Sequence, residues 1–276
     1  MNYKYSVLMS VYFKEKSEYL DLSIESMLNQ SVFPDEFIIV KDGVLPDSLN
    51  EVIDKYKHQY PRLFTIIINR TNIGLGPSLR RGVLCSRNEI IARMDSDDIS
   101  KSDRIEKQLE VLNCNPNIGI VGCFEAEFID TADNIVSVHK VPQNNVEIRH
   151  FMKRRCGLLH PTVIFKKHDV ISSGNYQSCN YYPLYEDYDL FVRMLFDNNV
   201  KAYNLQDSLY LMRTDSHFYE RRGGFKYALT AIRFKWHLYK KNISNFVDFV
   251  ISGLGQAFVC VVPNKLRKLI YLKLLR

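Results

Sequence analysis

Residues 89–98 read Glu-Ile-Ile-Ala-Arg-Met-Asp-Ser-Asp-Asp, a short apolar run that ends in a cluster of carboxylates. A run this short is a buried strand or a piece of buried helix, and its neighbours decide between them. Upstream, Leu75–Ser86 has helical spacing and Leu63–Ile68 (LFTIII) is a second apolar run. Pro46–Tyr60 reads as a helix that Pro46 opens at its first turn. Phe37–Val40 (FIIV) is another strand, closed by Lys41-Asp42-Gly43. Ser17–Gln30 places Leu20, Ile24, Met27 and Leu28 on one helical face, and Tyr5–Val11 (YSVLMSV) opens the series. Strands of four to seven apolar residues alternating with helices predict an α/β, doubly wound, mostly parallel sheet with helices on both faces. Ligands of such sheets sit outside the carboxyl ends of the strands. The polar residues from Ser10 to Phe13, Asp42-Gly43, Asn69 to Gly74 and Asp95 to Asp98 all fall at those ends.

Downstream, the spacing predicts a helix at Arg104–Leu112, strands at Ile118–Cys123, Glu127–Ile129 and Ile135–Val138, and a last strand at Leu209–Met212. A second polar block runs from His160 to Tyr185-Glu-Asp-Tyr-Asp189 and leads into an amphipathic helix, Leu190–Asn198.

The chain has 276 residues, 46% hydrophobic and 25% charged, which excludes disorder, collagen and coiled coil and gives length enough for a core without staples. Its six cysteines (85, 114, 123, 156, 179 and 260) stand singly, as expected of reduced thiols in a reducing compartment. The net charge of +6 divides unevenly: from Arg221 onward twelve Lys/Arg face the single acid Asp248, leaving residues 1–220 at −5. An acidic body with a basic helical tail differs from the basic reading face of a nucleic-acid binder, so no nucleic acid is expected. The opening residues lack the apolar stretch of a secretory signal, and no run is long enough to span a membrane. Lys265–Arg276 (KLRKLIYLKLLR) sets leucines among five basic residues, a pattern that suits an anionic membrane surface or, alternatively, a packed terminal helix with a solvated face.

Asp95-Ser96-Asp97-Asp98 follows a strand, and hard oxygen donors in such a turn suit a divalent cation that also holds a diphosphate. The competing reading is a helix N-cap by Asp98 or Ser100. Asn72-Ile-Gly-Leu-Gly76 opens a helix with Arg80 and Arg81 behind it; glycine lets a backbone approach a ligand, and the arginines can meet a phosphate or an acid of the body. The run is neither a dinucleotide fingerprint nor a P-loop. His160 is equally compatible with an acceptor-lining role and with a satisfied structural histidine.

These pieces in this order, SVLMSVY, Phe37-Ile-Ile-Val-Lys-Asp-Gly43, Asn72-Ile-Gly-Leu-Gly76, Ala92-Arg-Met-Asp-Ser-Asp-Asp98 and Tyr185-Glu-Asp-Tyr-Asp189, resemble the family 2 glycosyltransferases of GT-A fold, over about residues 5–220. They look most like the bacterial enzymes of capsule, exopolysaccharide and O-antigen synthesis. The resemblance implies a catalytic domain over 1–220, with 1–100 holding the nucleotide sugar and 101–220 the acceptor, and a membrane-attached region over 221–276. It implies that Ser10, Val11, Tyr12 and Asp42 meet the base and ribose, Lys41 standing where the family has a first acid. Asn72, Gly74, Arg80, Asp95, Ser96 and Arg213 complete the donor site, and Asp95, Asp97 and His217 are the candidate ligands of Mn²⁺ or Mg²⁺. Asp187, with Glu186 its rival, becomes the base of an inverting transfer, Asp189 supporting the helix start. Arg213, His217, Arg221 and Arg222 are placed to meet the leaving diphosphate. The expected reaction moves a sugar, UDP-linked by preference, to a lipid-linked saccharide at the cytoplasmic face of a bacterial plasma membrane. A nucleotidyltransferase requires a glycine-rich triphosphate loop, and SVYFKEKS has no glycine. A non-catalytic membrane module of the same fold would have lost Asp97 or Asp187, and both are present.

Overall fold

The structure, a computed structural model, describes residues 4–177, 182, 184–214, 224–263, 267 and 270. Three βα units open the chain: β1 (Tyr5–Val11), α1 (Ser17–Leu28), β2 (Glu36–Asp42), α2 (Asp47–Gln59), β3 (Phe64–Asn69) and α3 (Leu75–Cys85). They lead to β4 (Ile90–Arg93), which is parallel to β1 as β1 is to β2 and β2 to β3. The strands alternate across two buried faces. Leu8, Ile38, Val40 and Ile91 pack with Leu79 and Val83 of α3. Val7, Met9, Phe37, Ile39 and Ala92 pack with Leu20, Ile24 and Met27 of α1 and Leu49 and Ile53 of α2. Burying both faces is what makes these strands read as unbroken apolar runs.

The second half is mixed in direction. It comprises β5 (Ile99–Ser100), α4 (Arg104–Cys114), β6 (Ile118–Phe128), β7 (Ile135–His139), α5 (Asn145–Phe151), β8 (Ile164–Lys166), α6 (Lys167–Ser172), α7 (Glu186–Val192) and β9 (Lys201–Arg213). The sheet order is β3-β2-β1-β4-β8-β6-β9-β5, with β7 added on β6. β8 runs antiparallel between β4 and β6, while β9 is parallel to β6.

Several boundaries differ from the sequence reading. The two strands expected at 118–123 and 127–129 are one 11-residue strand, because Phe124, Glu125 and Ala126 are buried in line. The strand expected at 209–212 begins at Lys201: its polar start is paired to β6 across register shifts, and the Asn204 side chain donates to the carbonyls of Pro142 and Gly157. The helix expected at 190–198 starts four residues earlier, at Glu186, and its last turn is a π-helix over Arg193–Asp197.

The basic region contains α8 (Phe225–Lys240), α9 (Phe246–Phe249) and α10 (Gly255–Val261), the last two joined by a π turn at Val250–Leu254. Phe234 of α8 stacks at 4.8 Å from both Tyr185 and Tyr188, which docks α8 on α7. Arg267 is buried and donates to the carbonyls of Val259, Cys260 and Val262, closing the end of α10. One cation of the basic tail is thus a cap, not a lipid contact.

Candidate active site

The turn after β4 is braced from three sides. Ser23 Oγ donates to the Asp95 carbonyl at 2.6 Å, and Asp95 N donates to Tyr210 Oη at 3.2 Å. Tyr210 Oη then donates to Asp98 Oδ2 at 2.9 Å, while Arg213 N donates to Asp98 Oδ1 at 2.7 Å. Asp98 is only 2% exposed, and burial, with the charges of Asp97 and Asp95 adding to it, holds its carboxyl well above the usual range. It therefore anchors the turn to β9 and caps no helix. α4 starts later, at Arg104, without a side-chain cap, and Ser100 lies in β5 bonded to Gln30. Asp95, at 34% side-chain exposure, and Asp97 are the partly exposed acids of this turn. Ser96 Oγ is bound to Glu15 at 2.7 Å.

Arg213 lies against this turn. Its Nε donates to the Asp97 carbonyl at 3.0 Å, and its guanidinium sits 3.9 Å from the Tyr19 ring and 4.6 Å from that of Phe128. Such a sandwich fixes the side chain without neutralising its charge. His217, Arg221 and Arg222 lie outside the described residues.

At the end of β2, the Asp42 carboxylate is buried, with both oxygens hydrogen-bonded. Oδ1 accepts from Asn69 Nδ2 at 3.0 Å and Ile73 N at 2.8 Å, and Oδ2 accepts from Gly74 N at 3.0 Å. Asn72 Nδ2 reaches the Asp42 carbonyl at 3.3 Å. Asp42 thus shapes the 72–76 loop. Gly43 must be glycine: its φ is 95°, and an added Cβ would lie 2.8 Å from the Asn72 nitrogen. Lys41 donates to Asn50 at 2.9 Å. Ser10 is half-buried, Tyr12 is exposed, and Val11 is a core side chain that meets any ligand only through its backbone. Arg80 is spent on the carbonyls of Gly174 and Tyr176, at 2.9 and 3.2 Å, which takes up the phosphate-binding option for its bonded Nη1 and pins α3 to the segment before α7.

That pin brings the second acidic motif in. An added Cβ at Gly76 would lie 3.3 Å from Glu186 Cβ, so the glycine loop and the start of α7 are in contact. Glu186 and Asp187 occupy the first turn of α7, and Tyr188 N donates to Asp187 Oδ1 at 2.7 Å. Burial raises the pKa of both acids. Asp187 is pushed up to about 7, with the charge of Glu186 the next cause. Asp189 is turned away and pairs with Arg193 Nε at 2.9 Å, a support for the helix.

Arg93, within the quoted motif but without a role assigned from sequence, joins the two acidic groups. It is wholly buried at the end of β4 and pairs through Nη2 with Asp95. Its charge lowers the pKa of Glu186 and of Asp187, opposing the effect of burial. Its Nε and Nη1 have no hydrogen-bond partner although both are buried. The signal available in the sequence was a cation inside an otherwise apolar strand, since a buried arginine requires acids around it. His160 is buried, bonded through Nε2 to Tyr176 Oη at 2.7 Å, and held neutral by burial and by Arg93, so it is a structural histidine.

Asp95 and Asp97 are the two partly exposed acids of this turn, Asp98 being buried. Among the described residues no three His, Cys, Asp or Glu side chains gather as a self-sufficient cage. Two hard carboxylates fit Mg²⁺ or Mn²⁺ of the kind that completes its shell with water and substrate phosphates.

Residues 6–169 match the sequence profile described as glycosyl transferase family 2. The chain is 34% identical over 273 residues to the UDP-Gal:alpha-D-GlcNAc-diphosphoundecaprenol beta-1,3-galactosyltransferase of Escherichia coli, covering 99% of this chain and 97% of that one. It is 30% identical over 273 residues to the amylovoran biosynthesis glycosyltransferase AmsE of Erwinia amylovora, covering 98% of both. Its fold matches that of residues 1–349 of S. aureus TarS in complex with UDP-GlcNAc, with a TM-score of 0.67 at 15% identity, over 98% of this chain and 76% of that one. A mixed, mostly parallel sheet, acids at the end of β4, a second acid pair at the start of α7 and end-to-end likeness to transferases agree: the chain is a member of glycosyl transferase family 2, with the GT-A fold.

Proposed function

We propose that the protein is an inverting, metal-dependent transferase that moves a sugar from a nucleotide diphosphate, UDP by preference, to a hydroxyl of a lipid-linked saccharide in bacterial surface polysaccharide synthesis. The observation that carries this reading is the meeting of two acid groups around Arg93, one open and able to face a diphosphate, the other raised toward neutral pH and able to take a proton. The galactosyltransferase relative acts on a diphosphoundecaprenol-linked sugar, which supports a lipid-linked acceptor; work on it would take place at the cytoplasmic face of the membrane. Residues 1–100 would take the donor and 101–220 the acceptor, with the basic region over 221–276 attached to the membrane surface.

In this reading the open ends of β1 and β2 and the loop held by Asp42 receive the nucleotide. Asp95 and Asp97 hold the divalent ion, which when bound offsets charge on the diphosphate. Asp187 accepts the proton of the acceptor hydroxyl as its oxygen attacks C1 from the face opposite the diphosphate; the C1–O bond breaks and its electrons leave with the diphosphate. A base with a pKa near 7 is still mostly charged at the pH of the cytoplasm and strong enough to help. Glu186 keeps that pKa high and Arg93 keeps it from rising further. Arg213, held between two rings, keeps a cation beside the turn, where a leaving diphosphate needs one.

Calorimetry with UDP, GDP, dTDP and CDP, each with and without Mn²⁺, tests the reading. Metal-dependent binding of one nucleotide, lost in Asp97→Ala, supports it. Binding of none would leave a fold without the chemistry and sink it.

A further inference from the structure

α9, the π turn and α10 run end to end from Phe246 to Val261, and the outward face of this continuous helix is wrong for water. Phe246, Val247, Ile251, Leu254, Phe258 and Val261 are each more than half exposed, at helical spacing. The only charged residue between 246 and 261, Asp248, is turned inward, where it caps the helix with Asn245 and pairs with Arg154 Nε at 2.6 Å. A surface helix normally sets its charges outward and its apolar side chains inward. Here the inward face is filled by Gly253, Val259 and Cys260, and the outward face carries no charge at all.

The flank is basic and aromatic. The exposed row of α8 runs Leu229, Arg233, Trp236, Lys240. Lys240 Nζ lies 5.3 Å over the Trp236 ring, and that ring is 5.2 Å from Phe249 of α9. Lys226, at the start of α8, is exposed as well. A charge-free apolar stripe bordered by cations and a tryptophan matches an anionic bilayer surface: apolar below, negative at the headgroups, with indole at the boundary. No described helix is long and apolar enough to cross a membrane, so the stripe lies in the interface plane.

We propose that the Val247–Val261 stripe inserts into the headgroup layer of an anionic membrane, with Trp236 at the margin, and that it does so apart from any contribution of the tail over 264–276. This rests on the reading above only in supplying a reason for membrane contact, a lipid-carried acceptor; its test reads lipid binding without requiring sugar transfer.

Trp236 is the only tryptophan in the chain, so its emission reports on this surface without labelling. The full chain is mixed with vesicles of phosphatidylethanolamine and phosphatidylglycerol, and separately with phosphatidylcholine alone. The expected result is a blue shift of the emission with the anionic vesicles, its quenching by brominated acyl chains, and co-sedimentation. In Ile251→Gln/Phe258→Gln, and independently in Val247→Ser/Val261→Ser, co-sedimentation should fall at least tenfold and the shift vanish, with nucleotide affinity and transfer to a water-soluble acceptor unchanged. Vesicle binding equal to wild type in both folded variants, or unmoved emission in the wild type, overturns the proposal. So does a wild-type dimer that these substitutions turn into monomers without any vesicle binding, which makes the face a self-association surface. Failure to bind any nucleotide is read on a different assay and counts only against the transferase reading.

Discussion

Asp187 and Arg93 make the sharpest predictions at the scale of single residues. Asp187→Asn should keep nucleotide affinity and lower transfer by about 10²–10⁴-fold, the range a lost general base leaves; turnover kept in a folded Asn variant would remove the base assignment. In the wild type, kcat/KM should rise with pH and level off above an apparent pKa of about 7, because the carboxylate is the active form. Replacing Arg93 with Gln removes the cation that lowers this pKa, so the rising limb should move to higher pH. A merely structural role would reduce the rate without moving the limb. The sequence marked Asp95, Asp97, Glu186 and Asp187 as chemical because acids after apolar strands are conspicuous. It could not distinguish Asp98, which looks the same on paper, since only the arrival of Tyr210 and Arg213 from over a hundred residues downstream turns it inward. Asp42 was legible as important but not as a loop brace, for its partners lie some thirty residues on.

Elements make their own predictions. The loop over 72–76 is held by Asp42 and by the backbone of Gly43, so Gly43→Ala adds a Cβ to a left-handed turn pressed on another backbone. It should cost about 1–3 kcal/mol, seen as a lower Tm, and raise the KM for the donor more than it lowers kcat. The contact of α8 with α7 holds a second testable feature. Lys235 is buried, donates to the Arg154 carbonyl at 2.7 Å, lies 4.6 Å over the Tyr188 ring, and has its pKa lowered by burial to about 7. A base whose folded pKa is depressed is destabilising below that pKa, and the penalty fades as pH rises toward the unfolded value near 10.5. Lys235→Met should therefore raise Tm at pH 6 and gain nothing by pH 10, in a pair of thermal melts. The four parallel strands and their helices were legible because each buries both faces locally. β9 was read too short because its first half is polar and is held in the sheet by β6 and by two carbonyls from other loops, which no local pattern announces.

At the scale of the molecule, charge is divided along the chain: residues 1–220 are net acidic, and the region from Arg221 onward is basic. Vesicle association should weaken between 50 and 500 mM salt, as contacts with anionic headgroups are screened, while nucleotide affinity of the body changes far less; co-sedimentation and calorimetry over the same salt series check both. The mixed half of the sheet was the least legible part, because strand direction beyond β4 is set by tertiary pairing and leaves no periodicity. That half also has a consequence for how the protein comes off the ribosome. β4 pairs with β1 on one edge and with β8 on the other, and about 70 residues, from 94 to 163, separate β4 from β8 in the chain. A nascent chain halted within that interval carries β4 with one edge unpaired, a template for strands of other molecules. Slowing synthesis across residues 94–163 should therefore lower the soluble yield, and the acids that begin this stretch, Asp95, Asp97 and Asp98, place charge next to that edge.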